Sequence, residues 1–305
     1  MLKLFFVLIS IMISIVHSQK LFSQVVDGEI QIEGIKRTYH LAIPTTSNSK
    51  TKLPLVIVLH GGGGSGANMI RLTNFNSLAE EDTFLAVFPD GLNKGWNDGR
   101  IDETFERKYD DVNFISLLID HLVETHNADR NKIFLTGISN GAIFSLYLAY
   151  QLPGKIRAIA PVCGSIPVDY ANGYSIALNT SVLIINGTAD SLVKYGGGSI
   201  ASKKGERGKV ISTDSMINIL MRPYTCRAKL ITQEFPDVSI KDHSHALKYI
   251  YPSCGFPSQI ILIKVIGGGH TWPGGVQYLP KFLVGNTCRD FNASSEIWKF
   301  FSEQK

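Results

Sequence analysis

The sequence predicts an α/β fold, with a mostly parallel central sheet covered by helices on both faces. Short apolar runs alternate with helix-type patterns through most of the chain. The runs are near-continuous rather than alternating, as expected of strands buried on both sides. The chain has 305 residues, 44% of them hydrophobic and 18% charged, enough apolar material for one substantial core.

Residues 1–18 read as a cleaved signal peptide. After Lys3, an apolar run from Leu4 to Val16 is interrupted only by Ser10 and Ser14, and Val-His-Ser offers a cleavage site at residues 16–18. At 13 residues the run is short for a membrane span, which needs about 20. Residues 19–305 are then expected to form one domain with no separate substrate-binding module, secreted to the exterior or to a periplasm and free of the membrane after cleavage. Glu29 to Pro44 reads as an antiparallel hairpin turning near Glu33-Gly34. Buried strands are expected over Leu53–Gly61, Phe84–Gly91, Lys132–Gly137, Ile156–Gly164, Ser181–Asp190 and Gln259–Gly269. Asp111 to His126 carries apolar residues at 114, 115, 118, 119 and 122, one face of a helix. Asp110 and Asp111 ahead of it read as a cap and its neighbour, not as paired catalytic carboxylates. Ser295 to Gln304 reads as a terminal helix.

Thirty basic against 26 acidic residues give a formal charge of +4. The charges are dispersed, and the densest basic stretch, Ser202 to Lys209, reads as a solvated loop, so no nucleic-acid partner is expected. No spacing of Cys and His completes a metal site, and no cofactor motif is present. The four cysteines, Cys163, Cys226, Cys254 and Cys288, are an even set in an exported chain, which favours disulfides. Cys226–Cys254 is the preferred pair, because both precede one late strand in irregular sequence. Cys163 is best read as a buried free thiol.

Gly137, Ser139 and Gly141 form a G-x-S-x-G where a strand-type run gives way to a helix-type one. A serine there can sit on a sharp turn that lifts its hydroxyl above the sheet. Serine is a weak nucleophile and needs a base, itself oriented by an acid. Asp190 and His270 each follow a predicted strand, and the chain order Ser, Asp, His is that of the α/β-hydrolase arrangement. His60, His121, His126, His243 and His245 are the weaker candidates for the base, and Asp214 and Asp242 for the acid. The backbone N–H of Asn140 can serve an oxyanion, with a second donor from the loop His60 to Gly66. That loop lacks the lysine and Ser/Thr of a phosphate-binding loop.

"LHGGGGSG", "FPDGLNKGWNDGR", "DDVNFISLLID", "KIFLTGISNGA", "NGTADSLVKYGGG" and "GGGHTWPGG" together resemble the secreted esterases grouped with polyhydroxybutyrate depolymerases and feruloyl or acetylxylan esterases. The resemblance runs from about Gln31 to the terminal helix. It implies an α/β-hydrolase fold and metal-free ester hydrolysis, with Ser139 as nucleophile, His270 as base and then acid, and Asp190 as its orienter. Gly62 and Asn140 become the oxyanion donors. Trp96, Asn97 and Trp272 are expected to wall the acyl pocket; packing of the surrounding loops is the competing role for Trp272. The sequence departs from the group in lacking a tryptophan before Cys226. The depolymerases of the group usually append a linker and a polymer-binding module, and this sequence shows neither. The expected substrate is therefore a small-molecule or polysaccharide-linked ester, feruloyl or acetyl, with 3-hydroxybutyrate polymer or oligomer as the alternative. An inactive hydrolase-fold binding protein is the more distant one. Oligomeric state is not legible.

Overall fold

A hairpin opens the fold in the computed structural model, which describes residues 23–47, 51–101, 109–201, 207–224 and 229–304. The proposed leader at residues 1–18 and Cys226 lie outside these ranges. Strands β1 (Gln24–Ile32) and β2 (Ile35–Ile43) pair antiparallel. Their turn places Glu33 and Gly34 at φ 51° and 78°, the backbone twist that two-residue hairpin loops favour.

The apolar runs follow as β3 (Leu53–Leu59), β4 (Leu85–Pro89), β5 (Ala128–Ile138), β6 (Ala158–Val162) and β7 (Ser181–Gly187). A separate two-stranded ribbon joins β8 (Gly198–Ser199) to β9 (Lys209–Val210). The last strands are β10 (Ile231–Glu234), β11 (His245–Tyr251) and β12 (Ile260–Ile266). The main sheet has the order β1-β2-β4-β3-β5-β6-β7-β12-β11-β10. From β4 through β12 its neighbours run parallel, whereas both flanks are antiparallel.

Helices α1 (Gly66–Thr73), α2 (Phe75–Asp82), α3 (Asp111–Thr125), α4 (Asn140–Gln151), α5 (Thr213–Met221), α6 (Lys281–Val284) and α7 (Ala293–Ser302) fill the connections. The sheet separates two apolar layers. Leu55, Ile57 and Leu59 join Phe114, Phe144 and Met216 of α3, α4 and α5. Val56 and Val58, pointing the other way by the two-residue period of a strand, join Met69, Phe75 and Phe301 of α1, α2 and α7. Asp110 caps α3 by accepting from the Asn113 amide at 2.9 Å. Asp111 instead turns inward and pairs with buried Arg37 at 2.7 Å.

Strands β10 and β11 carry weaker apolar patterns than the central strands. Strand β10 is exposed along its whole length, so it offers no apolar signature. Cys163 and Cys288 are free and buried.

Candidate active site

Ser139 stands between the last residue of β5 and the first of α4, at φ 59° and ψ −120°. An L-residue held there stores about 1–3 kcal/mol of strain, which the surroundings must over-determine. They do so by close packing. A Cβ added at Gly137 would lie 2.6 Å from the Leu59 carbonyl oxygen, and one at Gly141 only 2.4 Å from it. The Ser139 side chain makes no capping bond to α4, so the helix does not consume its hydroxyl.

Strands β7 and β12 are parallel neighbours, so the loops leaving them emerge side by side. One carries Asp190 and the other His270, and their side chains meet at 2.7 Å between Oδ2 and Nδ1. Asp190 Oδ1 accepts from the Leu192 and Val193 amides, both at 2.8 Å. Both side chains are almost fully buried, at 2% and 1% exposure for His270 and Asp190. An ionised carboxylate only accepts, so the contact places a proton on Nδ1 and leaves Nε2 as an acceptor. His270 and Ser139 line the same cavity, of about 470 Å³.

Cys163 lies beside this pair and donates its thiol to the Thr271 carbonyl at 3.3 Å. Burial, and then the Asp190 charge, push the thiol well above its ordinary range, so it behaves as an inert neutral group. Cys163, Asp190 and His270 could group around a metal ion, but Asp190 and His270 already satisfy each other and the two amides.

The glycine loop closes the far side. Gly63 N donates to the Lys94 carbonyl and Gly64 N to that of Gly61, at 2.7 and 2.9 Å. Gly62 N has no backbone acceptor among the described residues, and Asn140 N is an orphan first-turn donor of α4. A Cβ on Gly62 would sit 3.9 Å from that of Asn140, and both residues line a cavity that Ser139 also lines.

His60 holds this loop. Its Nε2 accepts from Gly91 N at 2.9 Å, which makes Nδ1 the donor to the Gly61 carbonyl at 2.8 Å. One donor and one acceptor define a neutral ring, and burial lowers its proton affinity. The Asn140 side chain has a role that no sequence motif announces. It accepts from Trp96 N at 2.8 Å and donates to Asp98 Oδ2 at 2.7 Å, pinning the 96–98 loop behind the turn.

Three expected pocket residues are elsewhere. Trp96 is 1% exposed, donates Nε1 to the His60 carbonyl at 2.9 Å and stacks on Phe144. Asn97 bonds Asp111 Oδ2 through its amide and the Tyr109 carbonyl through its side chain. Trp272 is 1% exposed and donates to Ser294 Oγ at 3.0 Å. Packing engages the tryptophan rings and the polar groups of all three, and among the described residues none lines either of the two cavities of about 470 and 520 Å³ at Ser139. The walls are instead mainly aliphatic, with Met69, Leu72, Leu192 and Leu279 beside Tyr278. A second arm of about 520 Å³ also reaches Ser139 and is lined by Ile143, Val193 and Leu283 with Arg100 and Arg207. These wall residues come mostly from loops, where no periodicity marks them.

The rival acids are committed elsewhere. Asp214 accepts from Tyr195 OH at 3.0 Å. Asp242 accepts from Ser244 N and Oγ at 2.8 and 2.6 Å, and from Arg289 N at 2.9 Å.

The family profile for Phospholipase/Carboxylesterase matches residues 42–216. The protein named "Putative esterase NocK" of Nocardia uniformis subsp. tsuyamanensis is 27% identical over 283 residues, covering 89% of this chain and 81% of that one. The bifunctional acetylxylan esterase/xylanase XynS20E of Neocallimastix patriciarum is 26% identical over 163 residues, 53% of this chain and 23% of its own length. Feruloyl esterase D of Neurospora crassa is 28% identical over 145 residues, 44% of this chain and 47% of its own. The solved acetyl xylan esterase from Aspergillus awamori superposes with a TM-score of 0.60 at 14% identity, over 91% of this chain and 99% of that one. It shares the fold, which is the α/β-hydrolase fold. The fold and these matches converge: the chain belongs to the phospholipase/carboxylesterase family and is an ester-hydrolysing enzyme.

Proposed function

We propose that this enzyme hydrolyses carboxylic esters through Ser139, His270 and Asp190, and that its substrates are ester groups borne by polysaccharides, feruloyl or acetyl. The observation that carries the mechanism is the 2.7 Å Asp190–His270 contact at the edge of a cavity that Ser139 also lines. His270 Nε2 takes the proton from Ser139 Oγ as it attacks the ester carbonyl. The Gly62 and Asn140 amides receive the developing oxyanion. His270 then returns the proton to the departing alcohol, and water repeats the sequence on the acyl-enzyme. Asp190 keeps the imidazole oriented and stabilises its charged form.

The substrate class is supported by the names of the acetylxylan and feruloyl esterases among the relatives. Hydrolysis of 3-hydroxybutyrate esters is the second reading, supported by the poly(3-hydroxyalkanoate) depolymerase C of Paucimonas lemoignei, 25% identical over 123 residues. Export after cleavage of residues 1–18, a single domain over residues 19–305 and a Cys226–Cys254 bridge belong to the same proposal. The bridge is supported by Cys163 and Cys288 both being free thiols, which leaves Cys226 and Cys254 to pair.

The test compares wild type and Ser139→Ala on methyl ferulate, acetylated xylan and hydroxybutyrate oligomers. Wild type should turn over at least one, and the variant should lose about 10⁴-fold or more in kcat. Near-normal hydrolysis by Ser139→Ala would overturn the nucleophile assignment.

A further inference from the structure

The two arms that meet at Ser139 differ in one respect that bears on substrate choice. His270 lines only the first. In the mechanism proposed above, His270 delivers the proton to the departing alcohol, so the alcohol half lies in that first arm. The acyl half extends into the second, which His270 does not reach.

Beyond Ser139 and Asn140 the acyl arm is aliphatic apart from its two arginines and has no aromatic wall among the described residues. Arg100 is neutralised: it is buried, and its guanidinium grips buried Asp98 at 2.7 Å through Nη2. Its Nη1 donates to the Arg207 carbonyl at 2.8 Å, fixing the backbone there. Arg207 N donates to the Ile200 carbonyl at 3.2 Å, a second restraint. The Arg207 side chain is half-buried and lies against the glycine loop, with Nη1 3.3 Å from where a Cβ on Gly62 would stand. No carboxylate pairs with it among the described residues. A guanidinium carried on a fixed backbone at the mouth of an aliphatic arm, with no carboxylate partner among the described residues, selects an acceptor supplied by the ligand. Planar bidentate geometry makes a carboxylate the best match.

We propose that Arg207 reads a carboxylate at the far end of the acyl group, so that the enzyme prefers monoesters of dicarboxylic acids to neutral acyl esters of equal length. The short aliphatic spacer of such an acyl group packs on Ile143, Val193 and Leu283, and the carboxylate meets Arg207. The proposal extends the substrate range beyond acetyl and feruloyl groups, and it rests on the Ser139–His270 mechanism.

The test uses one leaving group and two acyl groups: p-nitrophenyl hydrogen glutarate and p-nitrophenyl valerate. Wild type should favour the glutarate in kcat/KM by about tenfold or more, and added salt should shrink the preference. Arg207→Gln should bring the ratio to the valerate's level or below, and Arg207→Lys should keep part of it. Arg71 lines the alcohol arm, so Arg71→Gln should leave the ratio intact. Equal use of both esters by wild type would overturn the proposal while leaving the esterase mechanism standing. So would an equal loss on both esters in Arg207→Gln, which would make Arg207 an aid to the oxyanion, or a ratio that collapses in Arg71→Gln. If neither ester is hydrolysed, the mechanism falls and this inference with it.

Discussion

The parallel centre of the sheet and its antiparallel flanks are built on different terms. In β3, β4, β6 and β7 every residue is buried or nearly so. In β1 and β10 exposed residues recur or dominate. The centre has helices on both faces and must exclude water from both, which demands apolar residues at successive positions. The same parallel arrangement brings the C-terminal ends of neighbouring strands to one edge, where Ser139, Asp190 and His270 stand. The flanks complete the sheet without carrying any of these three residues. Sequence change should therefore be most damaging where centre and site coincide.

The largest effect should come from Gly141→Val. The new Cβ would lie 2.4 Å from Leu59 O and 2.6 Å from His60 O, both backbone atoms. Overpacking against atoms that cannot rotate away should cost about 3 kcal/mol or more. Thermal unfolding followed by circular dichroism should show a large fall in Tm together with lost turnover. A stable, active Gly141→Val would mean that the turn is not held by the contact of Gly141 with β3.

A smaller effect, visible only in acid, concerns His60 at the end of β3. Burial lowers its proton affinity in the fold, so the unfolded chain takes up a proton first as pH falls. More protons on the unfolded state means that stability rises with pH. The contribution of the neutral ring is thus complete above the ordinary imidazole range, about pH 6.5, and is lost as pH falls below it. His60→Gln cannot titrate. Its urea-unfolding free energy should be lower near neutrality but should decline less between about pH 7 and pH 5 than that of wild type. Parallel declines would remove His60 from the account of acid sensitivity.

The smallest effect should be at the flank. Ile231 in β10 is 55% exposed, and Ile231→Thr should change stability by no more than about 0.5 kcal/mol. A change of about 2 kcal/mol in urea titration would show that the flank is as tightly packed as the centre, and would erase the contrast between them.

The same contrast governs how much could be read beforehand. The central strands and α3 were legible because burial on two faces, or along one helical stripe, leaves a pattern in consecutive residues. The flank strand β11 (His245–Tyr251) was not, because most of its side chains are only half-buried. Ser139, Asp190 and His270 each follow a legible strand, which is why the sequence offers them as candidates. Trp96 and Asn97, expected at the pocket, pack behind the turn, and Trp272 takes the packing role that competed with it. A tryptophan beside a glycine-rich loop reads the same whether it faces a ligand or the core.

The sequence by itself determined the alternation of strand and helix, the turn at Gly137–Ser139–Gly141 and the chain order of the site residues. Local chemistry suffices for these: apolar runs, glycines where a Cβ cannot fit, and strand ends that share one edge of a parallel sheet. Only the tertiary structure decided that the tryptophans are core, that the Asn140 side chain pins the 96–98 loop, and that the Arg207 side chain lies beside Gly62. Each of these joins segments well separated in sequence: Trp272 bonds Ser294 across 22 positions, Asn140 bonds Trp96 across 44, and Arg100 holds the Arg207 backbone across 107. Such pairings are settled by which surfaces meet when the helices close over the sheet, and they leave no local periodicity to read.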